Sequence, residues 1–122
     1  MRGMVEQPGV EEQISVDEFF RADIRAGRIM HAEPLEKARK PAYKLWIDFG
    51  ELGTRQSSAQ VTTLYRTEEL IGRMVIAVTN FPPRRVAGFR SEVLVLGVPV
   101  EGTDEVVLLQ PERDVTPGAR IS

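Results

Sequence analysis

An all-β fold with short helices, curled into a small barrel of five principal strands plus late additions, is what the sequence predicts, and three observations carry that expectation. Short alternating or continuous apolar runs recur between turn-forming residues, helical signals last only a turn or two, and no strand–helix–strand rhythm appears. With 122 residues, 42% of them hydrophobic, the chain suits one domain around one core.

Residues 1–13 are polar and acidic and contain Pro8-Gly9, so they read as a flexible leader, leaving 14–122 as the domain. Ser15 followed by Glu18 matches a capping box, and Val16, Phe19 and Phe20 give the short helix it opens an apolar side that could plug one barrel end. Residues 24–33 form a first strand whose alternation slips phase at Gly27, which predicts a β-bulge or a sharp bend. Tyr43, Leu45, Ile47 and Phe49 alternate with Lys44, Trp46 and Asp48, the clearest strand in the chain. Residues 50–53 read as a hairpin turn and 54–60 as its polar partner strand. A capped helical turn follows over 67–72, ending at glycine, and then a strand over 74–79. Residues 81–85 read as a loop, because consecutive prolines cannot join a ladder. The apolar runs 93–98 and 106–109 suit strands buried on both faces, and Pro117-Gly118 is a terminal turn.

The N-terminus is acidic rather than basic and apolar, and no run of eighteen apolar residues exists. The expectation is a soluble, cytoplasmic chain with no membrane insertion. Zero cysteines exclude disulfides, a thiol nucleophile and cysteine-ligated zinc. His31 is the single histidine, the serines lack a nucleophile-elbow setting, and no glycine-rich phosphate loop precedes a helix, so neither an enzyme nor a cofactor is expected.

Net charge is -2, yet it is unevenly spread. Residues 37–90 hold ten basic and four acidic side chains, a segment of +6, while the remainder is -8. A polyanion would meet the middle of the chain. Two basic stretches lie there. Lys37, Arg39, Lys40 and Lys44 sit in or beside the connection between the first two strands, and Arg84, Arg85 and Arg90 follow the Asn80-Phe81-Pro82-Pro83 corner. Each stretch includes an aromatic, Tyr43 or Phe89, so one site could neutralise phosphates while stacking a base. Tyr43 shares the phase of Leu45 and is expected in the core; Phe89 fits either role. The polar strand carrying Arg55, Ser57, Ser58 and Gln60 reads either as a hydrogen-bonding barrel face or as a wet outer face. Trp46 points away from the core side and, with Phe81 and Phe89, is a candidate for a peptide-binding or interface surface.

In order, Asp23-Ile24-Arg25-Ala26-Gly27-Arg28-Ile29, Tyr43-Lys44-Leu45-Trp46-Ile47-Asp48-Phe49-Gly50, Glu68-Glu69-Leu70-Ile71-Gly72-Arg73, Asn80-Phe81-Pro82-Pro83 and Gly88-Phe89-Arg90-Ser91-Glu92 resemble the landmarks of the tRNA-binding-domain family. Three further segments resemble its CsaA-type chaperones: Ala38-Arg39-Lys40-Pro41-Ala42-Tyr43-Lys44-Leu45, Gln56-Ser57-Ser58-Ala59-Gln60 and Ser91-Glu92-Val93-Leu94-Val95-Leu96-Gly97. The resemblance implies an OB-fold, a five-stranded Greek-key barrel, in a homodimer that binds tRNA or other structured RNA. It also implies an export-related chaperone role on unfolded or precursor polypeptides and the export machinery; the alternative is a polypeptide-binding chaperone with RNA binding incidental. Mapped by motif, Lys37, Arg39, Lys40 and Lys44 would meet phosphates, Arg55, Ser57, Ser58 and Gln60 would line the barrel face, and Asn80, Arg85, Arg90 and Ser91 would surround the corner loop. The chain departs from the general pattern after Ser57, where Ser58 and Ala59 stand in place of a glycine.

Overall fold

A computed structural model describes Gly9 and residues 11–122; most of the expected leader, residues 1–8 and 10, lies outside the described residues. The clearest alternation in the sequence becomes a core strand. Strand β2 (Tyr43–Asp48) buries every second side chain, with Leu45 and Ile47 fully enclosed. It lies between β1 (Ile24–Pro34) and β3 (Thr54–Ala59) in an antiparallel sheet ordered β3-β2-β1-β4-β7, where β4 is Met74–Val78 and β7 is Leu94–Val95. The tight turn between β2 and β3 is a 3-10 segment, Gly50–Leu52. These five strands form a nearly closed barrel, mostly β with two short helices, as expected of an OB-like fold.

β1 is shared by both halves of the sheet. Its first part, Ile24 to Arg28, pairs with β4 and its second part, Arg28 to Pro34, with β2, so the strand bends at Arg28. Gly27 stands at that bend for a steric reason: a Cβ there would lie 2.6 Å from both Ile47 Cγ2 and the Phe49 ring. The bend and the bulge are separate features. The extra residue falls between Ile29 and His31, leaving Met30 outside the ladder and exposed.

Where β1 pairs with β4, over Ile24 to Gly27, β2 leaves its opposite edge open, and the C-terminal segment covers it. Gly118 N–H donates to Ala26 O (2.8 Å), Ala26 N–H to Ala119 O (2.9 Å) and Ile121 N–H to Ile24 O (3.0 Å). Asp23 adds a charged link, its Oδ1 lying 2.8 Å from Arg25 Nε and 3.5 Å from Arg120 Nε.

The barrel closes between β3 and the chain following β6 (Phe89–Ser91), and it does so without a regular ladder. Glu92 N–H donates to Gln56 O (2.8 Å), Ser57 Oγ to Val93 O (3.0 Å) and Ser58 N–H to Ser91 Oγ (3.3 Å).

Three expectations are corrected. Helix α1 (Val16–Phe19) is capped as foreseen, with Glu18 N–H donating to Ser15 Oγ and Ser15 N–H to Glu18 Oε1, but it plugs nothing. One turn of helix offers no continuous face; Val16 is 71% exposed, and the core instead takes Leu70 of α2 (Thr67–Leu70). The apolar runs 93–98 and 106–109 are not buried on both faces. They break into β7 and a separate hairpin of β8 (Gly97–Pro99) and β9 (Val106–Leu108), burying Val93 and Leu108 but leaving Leu94, Val98, Val107 and Leu109 exposed. Last, Arg84 and Arg85 are not loop residues: strand β5 (Arg84–Val86) begins just past the prolines and pairs with β6. Among the described residues no helix is long and apolar enough to cross a membrane.

Candidate nucleic-acid interface

The connection between β1 and β2 is fastened at both ends by burial. Leu35 and Ala42 are core residues joined by Leu35 N–H to Ala42 O (2.9 Å), so Lys37, Arg39 and Lys40 between them are held outward. They line one side of a groove of about 950 Å³. The opposite wall is the β5–β6 hairpin, which brings in Arg84; Ser58 and Gln60 supply polar groups at the end of β3, and Leu94, Val95, Val106 and Leu108 make an apolar floor. No carboxylate lines this groove among the described residues, although Asp104 pairs with Lys40 at 3.2 Å on the exposed rim. Four cations around a shallow trough can neutralise consecutive phosphates of a backbone.

Not every residue singled out in the sequence reaches it. Ser57 is 1% exposed, because inward and outward positions alternate along β3; its hydroxyl donates to Val93 O, whereas Ser58 on the other face lines the groove. Ser91 is likewise buried in the barrel seam. Asn80 ties the corner to the chain before β1, its Oδ1 accepting from Asp23 N–H (2.9 Å) and its Nδ2 donating to Arg21 O (2.8 Å). Arg55 stands opposite Ile47 at the far end of β3. Arg85 and Arg90 are ladder partners on the outer face of the hairpin, both exposed; Arg85 Nη1 donates to Gly88 O across the turn, and Arg90 Nε is 3.8 Å from Glu92. Lys44 projects from the outer face of β2, 2.9 Å from Glu33. Hydrogen bonds from Lys44 and His31 hold the Glu33 carboxyl below the usual range.

The aromatic residues lie away from the basic groove. Tyr43 is buried, its hydroxyl donating to Tyr65 O (2.8 Å). Trp46 is half-buried rather than open: Phe89 meets it edge-on with ring centroids 5.8 Å apart and an interplanar angle of 80°, and the His31 ring lies 5.2 Å from it, tilted by 41°. Such an edge-to-face pair contributes about 0.5–1.5 kcal/mol. Phe81 is half-exposed beside a smaller cleft with Pro82 and Arg84. Among the described residues no aromatic ring lines the basic groove, so the expectation of cation and stacking ring at one site is not met there; the groove favours backbone contacts.

Arg84, named in the second basic stretch but not among the residues mapped onto the site by motif, lines the groove, and its place on a strand is what sequence reasoning missed. The available signal was the alternation of Arg84 and Val86 against Arg85, followed by Ala87-Gly88. Both turn residues have positive φ, 50° and 82°, which is the geometry of a two-residue hairpin turn.

A basic groove across one side of a five-stranded OB-like barrel defines a nucleic-acid-binding class of small β-barrel. A family model described as "Putative tRNA binding domain" matches residues 24–120, and the chain belongs to that family. Within it the chain is of the CsaA type. It is 52% identical to the CsaA chaperone of Bacillus anthracis, with a TM-score of 0.84 over 91% of this chain and 100% of that one. The CsaA chaperone of Picrophilus torridus is 46% identical, with a TM-score of 0.82 over 90% and 100%. Methionine–tRNA ligase of Methanococcoides burtonii is 39% identical over 91% of this chain, but over only 16% of its own length, so the chain spans about a sixth of that relative.

Proposed function

We propose that this protein is a non-enzymatic binder of tRNA or similarly structured RNA. The observation that carries the reading is the convergence of Lys37, Arg39, Lys40 and Arg84 on one groove in a chain of net negative charge. Ser58 and Gln60 add hydrogen bonds to the backbone or 2′-hydroxyls; Arg85, Arg90 and Lys44 extend the positive surface beyond the rim; Ser57, Ser91 and Asn80 keep the walls in register. The similarity to a small part of methionine–tRNA ligase, and to free-standing chaperones along nearly the whole chain, supports a binding rather than a catalytic role. Titrating a purified tRNA at several salt concentrations tests this. The expected result is a linear fall of log affinity with log salt, by roughly 0.7–0.9 per neutralised phosphate. No binding at low salt would overturn it.

A second activity, binding of unfolded or precursor polypeptide in a cytoplasmic export-related role, is supported by the chaperone relatives and by the exposed Leu94, Val98, Val107 and Leu109. The same apolar side suits pairing of two copies, a homodimer. Light scattering at micromolar concentration is expected to give the dimer mass, and suppression of client aggregation is expected to survive high salt, since apolar burial is not screened. A monomer mass would remove the dimer, and salt-labile suppression would remove the apolar mechanism.

A further inference from the structure

We propose that Phe89 and Trp46 are positioning residues for RNA binding: their contact sets where the β5–β6 hairpin stands, and thereby the width of the basic groove. The proposal rests on the reading of that groove as the RNA site.

The hairpin belongs to no larger sheet. Among the described residues its two strands, of three residues each, pair only with each other. A two-stranded ribbon of that length does not hold its shape or place alone in water, so its position is dictated by what it leans on. The base of the hairpin is fastened to β3 by Gln56 Nε2 donating to Arg90 O at 2.7 Å and by Ser58 N–H donating to Ser91 Oγ at 3.3 Å. The tip is held differently. Phe89 directly follows the Ala87-Gly88 turn and meets Trp46, and Lys44 Nζ lies 5.9 Å from the Trp46 centroid and 5.8 Å from that of Phe89, over both rings. The base is thus hydrogen-bonded, and the tip is held by the contact of the two rings and the Lys44 cation over them.

The tip is also a partition. Ala87 borders the basic groove on one side and a second cleft, lined by Glu33, Lys44 and Phe89, on the other. Moving the tip therefore widens one space and narrows the other: it shifts Val86 and Ala87, which line the groove, relative to Lys37, Arg39 and Lys40, while Arg84, paired with Ser91 at the fastened base, stays in place.

Trp46 is the only tryptophan in the chain, which makes its fluorescence a direct report on the dock. The experiment compares wild type, Phe89→Ala and Phe89→Tyr in tRNA titrations across salt, with emission spectra of the free proteins. Phe89→Ala is expected to red-shift Trp46 emission, to weaken tRNA binding about five- to tenfold and to lower the salt slope by about one contact. Phe89→Tyr, which keeps the ring, is expected to restore all three. Should Phe89→Ala fail to fold by circular dichroism, Phe89→Leu carries the same comparison. Wild-type affinity and slope in the folded ring-less variant, or unchanged Trp46 emission, would overturn the positioning role while leaving the groove reading intact. Failure of the wild-type protein itself to bind tRNA would overturn both.

Discussion

Replacing Lys37, Arg39, Lys40 and Arg84 together by alanine is expected to abolish most tRNA affinity, a loss of about three orders of magnitude at 0.1 M salt. The magnitude follows from counterion release: each neutralised phosphate contributes roughly 0.7–0.9 to the log–log salt slope, so four lost contacts remove close to three decades at tenth-molar salt. The slope itself should fall by about three units. Stability should hardly change, because all four side chains are exposed and the ion pair lost from Lys40 to Asp104 is solvent-accessible and of little net worth. Filter-binding or anisotropy titrations, paired with a urea unfolding curve, check both halves. An unchanged slope with the fold intact would dissociate the groove from RNA binding.

The largest effect on stability is expected from Gly118→Ala, about 3–4 kcal/mol in urea unfolding. Gly118 has φ +91°, and a Cβ there would lie 2.3 Å from Phe49 O, a backbone atom that cannot rotate away. Adopting that φ costs an L-residue about 1–2 kcal/mol. Relieving the clash requires withdrawing the C-terminal segment, with its hydrogen bonds to Ala26 and Ile24, each worth about 1 kcal/mol net. Gly53→Ala separates the two causes. Gly53 has φ +80° and nothing within 4 Å of where a Cβ would stand, so it should lose only the conformational part. Equal losses at the two positions would show that the contact with Phe49 is not tight in solution.

Much of the barrel was legible because it obeys local rules. The two-residue period of β2 named its buried face correctly, the Ser15–Glu18 pattern formed the cap it predicts, and the phase slip at Gly27 marked a real bend. What escaped the sequence was set by tertiary neighbours. Pro82-Pro83 disguised the start of β5, and Ala87-Gly88 is a weaker hairpin signal than Asn-Gly, so the arm carrying Arg84 read as a loop. The 93–98 and 106–109 runs are as apolar as buried strands, yet composition cannot tell a buried face from an exposed apolar one. The serines of β3 illustrate the same limit. Ser57 and Ser58 are chemically identical, and only the strand's orientation assigns one to the seam and the other to the groove.

That seam has a mechanical meaning. Four boundaries of the barrel are zipped by ladders, while the fifth is stitched by one backbone bond and four bonds through the side chains of Gln56, Ser57, Ser91 and Glu92, so thermal breathing should concentrate there as in a split washer. Ser58, Ala59, Leu94 and Val95 straddle the split and also line the trough. Gaping of the cylinder and accommodation of a bulkier guest are thus the same displacement, and the compliance of the receptor resides in the joint that has no ladder.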